Sequence, residues 1–128
     1  MLNLRLVTAA ALVVTAMAIG ASPVAAKSSD VVMRGNCSGS ADWKLKAGKD
    51  NGQIEVEFEV DSNHAGQVWR VKILDNDVLR HRARYTTHAP SGSFSVERRI
   101  ANMAGPDYIV ARARNLASGQ TCVGKLTL

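Results

Sequence analysis

Trp43–Val60 reads W-K-L-K-A-G-K-D-N-G-Q-I-E-V-E-F-E-V. On the left, Trp43, Leu45 and Ala47 alternate with Lys44 and Lys46; on the right, Ile54, Val56, Phe58 and Val60 alternate with Glu55, Glu57 and Glu59. Side chains of a strand point to opposite faces in turn, so each half reads as a strand with one apolar and one charged face. Asp50-Asn51-Gly52 lies between them. Asn-Gly accepts positive φ at both central positions of a tight turn, which makes the stretch a β-hairpin. The turn sets the lysines of one strand beside the glutamates of the other, where opposite charges pair across the ladder. A hairpin cannot bury its apolar face alone, so the rest of the chain must supply a second layer.

The same period recurs on the C-terminal side. Trp69, Val71 and Ile73 alternate with Arg70 and Lys72. Arg80, Arg82 and Arg84 alternate with His81, Ala83 and Tyr85; Phe94 and Val96 with Ser93 and Ser95. Ile109, Ala111 and Ala113 alternate with Arg112 and Arg114; Cys122, Leu126 and Leu128 with Val123, Lys125 and Thr127. No segment shows the i, i+3, i+4 spacing of an amphipathic helix. The breaks, such as Asp75-Asn76-Asp77, Ala89-Pro90-Ser91-Gly92 and Gly105-Pro106-Asp107, carry turn residues. About seven antiparallel strands at this spacing indicate an all-β sandwich or barrel.

A first strand with Trp43, a hairpin, a third strand with Trp69 and a late strand opened by Gly105-Pro106-Asp107-Tyr108 resemble an immunoglobulin or fibronectin type III sandwich. The chain is also similar in outline to small secreted bacterial proteins of this architecture. The resemblance implies a two-sheet fold and no activity. Two features differ from antibody domains. The cysteines lie near the ends of the domain, and Tyr108 shares the parity of Arg112 and Arg114 instead of that of the inward residues.

Upstream, Arg5 precedes an apolar run from Leu6 to Ile19, and small residues stand at Val24-Ala25-Ala26. This is the order of a secretory signal peptide cut after Ala26. The run is shorter than the roughly 20 residues a membrane span requires, although a retained anchor is the alternative. The expected organisation is a signal peptide over 1–26, a flexible polar lead-in over 27–36 and the sandwich over 37–128, secreted and without a membrane span after processing. Cys37 and Cys122 are the only cysteines. Export puts them in an oxidising compartment, so one disulfide joining the first and last strands is expected, with two free thiols the alternative.

No catalytic motif stands out. His64, His81 and His88 lack metal-ligand spacing, and Ser38-Gly39-Ser40 and Ser91-Gly92-Ser93 are not nucleophile elbows. Glu55, Glu57 and Glu59 are spaced about 7 Å apart, a separation glycosidases use, yet the lysines across the turn read them as a solvated face. Asp61 with Asn63, and Asp75 with Asp77, offer oxygen donors for calcium, although in loops these residues more often cap and turn. The expectation is therefore no enzyme, no cofactor and no metal.

The formal charge of +5 falls to about +4 once Arg5 is removed. Its distribution is more informative than its total. Parity places Arg70, Lys72, Arg80, Arg82, Arg84, Arg112, Arg114 and Lys125 on the outer side of four strands, which a sandwich would join into one sheet. A field of one sign attracts anionic partners. The residues thus point to a secreted, non-catalytic module that engages an anionic polymer or cell-envelope component. Specific nucleic-acid recognition is not expected, since aromatic platforms are lacking. The alternative is a structural or accessory domain acting through protein contacts, its charge incidental.

Overall fold

The computed structural model describes residues 29–128, and the leader expected over 1–26 lies outside them. Eight strands form: β1 (Val31–Asn36), β2 (Asp42–Asp50), β3 (Gln53–Asp61), β4 (Val68–Asp75), β5 (Val78–Thr86), β6 (Ser93–Ala101), β7 (Tyr108–Asn115) and β8 (Thr121–Thr127). They make two four-stranded sheets, in the orders β1-β2-β3-β6 and β5-β4-β7-β8. Every pairing is antiparallel. The fold is an immunoglobulin-like sandwich, consistent with the alternation throughout.

The β2–β3 hairpin pairs Lys44 with Glu59 and Lys46 with Glu57. Its turn holds Asn51 at φ 50° and Gly52 at φ 75°. A second such turn joins β4 to β5, with Asn76 at φ 48° and Asp77 at φ 65°. Both have the primed geometry whose twist suits a hairpin.

The polar stretch read as a lead-in contributes a strand. Val31–Asn36 pairs along β2, from Val31 opposite Ala47 to Asn36 opposite Asp42. As an edge strand it buries little, so its sequence lacks the alternation that marks the others. The core lies between the sheets. Trp69, Phe58, Leu45, Ile54, Ile73 and Ile109 are its largest fully buried side chains. Trp43, expected among them, is only half-buried. Its indole lies between two glycines: a Cβ on Gly35 of β1 would stand 2.6 Å from Cζ2, and one on Gly124 of β8 would stand 2.8 Å from Cζ3. The ring fills the gap between the edge strands of the two sheets.

Cys37, which follows β1, and Cys122 in β8 form the disulfide, with their Cα atoms 4.2 Å apart. On the loop-closure account, a bridge across 85 residues stabilises the fold by roughly 4–5 kcal/mol. Among the described residues no helix is long and apolar enough to cross a membrane.

Candidate anion-binding face

The four strands carrying the basic residues do share one sheet. Its register arranges the cations in two rows across the strands. Arg84, Arg70 and Arg114 form one, since Arg70 is opposite both others. Arg82, Lys72 and Arg112 form the next, centred on Lys72. Neighbouring strands are about 4.8 Å apart and successive outward residues about 7 Å, so these side chains emerge from a patch roughly 10 Å by 7 Å. Lys72, Arg82, Arg84, Arg112 and Arg114 are exposed, and Arg70 at the centre is half-buried. Between Arg70, Lys72, Arg112, Arg114, Thr121 and Val123 the surface sinks into a shallow depression of about 280 Å³.

Lys125 is exposed on the same face, one row further along, opposite Val110. Arg80 leaves it. The β4–β5 register slips between Ile73 and Leu74, so that Ile73 faces His81 while Leu74 faces Leu79. Arg80 is the extra residue of this bulge. It is half-buried, its Nε is shielded from solvent, and its positive charge acts on Asp75, which points into the core. Alternation alone assigns Arg80 outward because a bulge leaves no mark in the period.

No acid occupies an outward position on β4, β5, β7 or β8. The ion pairs seen among the described residues belong to the other sheet or its turn: Lys46–Glu57 at 3.0 Å, Lys44–Glu57 at 3.7 Å, Arg99–Asp50 at 2.7 Å and Arg99–Glu55 at 3.9 Å. That sheet mixes the two signs, with Glu57 between Lys46 and Glu97, whereas the basic sheet sets only like charges side by side. Like charges directly opposite on a ladder are destabilising.

The remaining chemistry-bearing residues are scattered. His64 and His88 are exposed in loops, while His81 is half-buried on the inner side of β5, its Nε2 hydrogen-bonded with Tyr85 Oη at 2.7 Å. Burial, and then the charge of Arg98, hold the His81 imidazole below its ordinary pKa. Among the described residues no three His, Cys, Asp or Glu side chains converge in a metal-binding group. Asp61 accepts a hydrogen bond from Asn63 N at 3.0 Å, a turn-forming contact. Asp77 sits at positive φ in its own turn, away from the inward Asp75.

Asp75, read from the sequence as a loop acid beside Asp77, instead ends β4 and turns inward. Asp75 and Asp107 are both fully buried at one end of the core. Neither receives a hydrogen bond from an N–H or hydroxyl, and they are close enough to share a proton. Burial raises the Asp75 pKa, as do the hydrogen bond with Asp107 and the charge of that neighbour; Arg80 acts in the opposite direction. The signal was parity, since Asp75 continues the inward series of Trp69, Val71 and Ile73. Comparison of the chain with protein-family models, curated proteins and solved structures gives no match.

Proposed function

We propose that this is an exported, non-catalytic binding module that engages anionic polymers or envelope components through the outer face of the β5-β4-β7-β8 sheet. One observation carries the reading: two rows of like charges stand side by side on that sheet, without an acid between them. A merely soluble surface needs charge, but it does not need unmixed charge, and mixing is what the opposite sheet of the same chain does. Repulsion within the face weakens the fold, and a polyanion laid across it would relieve that repulsion. The shallow depression between the rows suits an anionic group reaching in from the polymer. The leader-like sequence and the disulfide support an extracellular setting. The three-on-four strand order left when β1 is set aside supports kinship with the fibronectin type III arrangement.

Retention of the disulfide-bonded protein on an anionic matrix tests this. Binding is expected at low salt and should fall steeply as salt rises, because exposed charges are screened over about 8–10 Å. Arg82→Glu with Arg112→Glu should abolish it while leaving stability within about 1 kcal/mol of the parent, as exposed substitutions usually do. Failure to bind any polyanion at low salt would reduce the face to a solubilising surface. Capture of one envelope protein that survives high salt would favour the accessory-domain reading instead.

A further inference from the structure

We propose that the anionic partner of this face is a bilayer surface, with the cation rows against lipid phosphates and the flanking apolar side chains in the interface. The proposal rests on the anion-binding reading and names its target. Beyond the two cation rows the outer face carries large apolar side chains, set among Thr86, Thr121 and Thr127. Below the rows the register sets Leu79 beside Leu74, Leu74 beside Val110, and Lys125 at the end of the row. Leu79 is 50% exposed, and Tyr108, one step further along β7, is 56% exposed. Above them Val68 and Leu116 are joined by a hydrogen bond from Leu116 N to Val68 O, and both are exposed. Within the second row Val123 stands beside Arg112 and is also exposed. Much of the large apolar surface left in water is thus gathered on the one face that also carries unmixed positive charge.

A soluble polyanion would use the cations and leave these apolar groups wet. A bilayer uses both: anionic headgroups attract Lys and Arg, while Leu and Val gain by leaving water. Tyrosine favours this boundary because its ring is apolar and its hydroxyl polar. The face is a sheet, so its rows reach a planar partner together. Nothing in this arrangement inserts deeply, and the attachment is peripheral and salt-sensitive.

Sedimentation with vesicles distinguishes the two layers of the reading. The probes are phosphatidylcholine vesicles, the same vesicles containing phosphatidylglycerol, and polyphosphate in solution. The protein is expected to bind the phosphatidylglycerol vesicles and not the neutral ones. Leu79→Ser with Tyr108→Ser should weaken vesicle binding by about tenfold or more, with affinity for polyphosphate unchanged. Arg82→Glu with Arg112→Glu should weaken both by at least about a hundredfold. Circular dichroism of each variant verifies that the sandwich is retained. If the serine variant binds vesicles as tightly as the parent, or the parent binds polyphosphate but no vesicle, the bilayer proposal falls and the polyanion reading stands. If the parent binds neither probe, both fall.

Discussion

Asp75 shows what one inward step of a period-2 pattern does when the residue is charged. Its side chain follows Trp69, Val71 and Ile73 into the core, where it meets Asp107. Because its pKa is raised in the folded state, the protonated form is favoured there. Its contribution to stability is therefore complete below the ordinary aspartate value and lost as pH rises through the folded one. Asp75→Asn removes that loss, so the melting temperature of the variant relative to the parent should climb as pH rises from the acid range towards neutrality. Parallel melting curves across pH would show that the pair carries no titration. His81 works in the opposite sense: its lowered pKa gives stability that is present above its ordinary value and lost as pH falls. Taking the difference between variant and parent cancels that contribution. Trp43 makes a second point at this scale. Gly35 and Gly124 are needed because the indole occupies the space where their Cβ atoms would be. Gly124→Ala should destabilise by about 1–3 kcal/mol in denaturant unfolding. Much of that cost should vanish when Trp43 is also changed to Leu; an unchanged cost would locate the strain elsewhere.

At the scale of elements, the legible strands were those with one face in the core. β3 alternates without a break because Ile54, Val56, Phe58 and Val60 are all buried. β1 was illegible for the converse reason. It lies at an edge, four of its six residues are exposed on whichever side they point, and Gly35 is selected by Trp43 and not by period. β5 was legible up to its bulge. Its alternation assigned Arg82 and Arg84 correctly to the outer side and Arg80 incorrectly, because an inserted residue reverses parity only in relation to a partner strand the sequence does not show. This gives a direct comparison: Arg82→Ala should weaken polyanion retention severalfold, whereas Arg80→Ala should leave it unchanged and alter stability instead. Equal losses of binding would mean that Arg80 reaches the ligand after all. The bond between the β1–β2 connection and β8 also belongs to this scale. Replacing Cys37 and Cys122 by serine should lower unfolding free energy by roughly 4–5 kcal/mol, measured by urea titration. A loss under about 1 kcal/mol would show that the ends are held without it.

For the molecule as a whole, the division of strands between two sheets was readable because charge and parity agreed: glutamates mark the outside of β3, arginines the outside of β4, β5 and β7. Sequence could not show that the cations would stand in register, since lateral alignment depends on turn length and on the bulge. The two long sides of the sandwich are also unlike. Along one, β1 and β8 are tied by the disulfide and by the indole of Trp43 between its glycines. Along the other, β5 and β6 meet through softer contacts, chiefly Tyr85 stacked on Phe94 with ring centroids 5.6 Å apart. The protein is bound like a book, with a stitched spine and a free fore-edge. Spontaneous opening should start at the fore-edge, so amide protons of β5 should exchange with solvent well before those of β4 and β7 beside it. Arg82 and Arg84 ride on that outermost leaf, so a partner held by the cation rows should clasp the fore-edge and slow the exchange of β5 amides, leaving the spine unchanged.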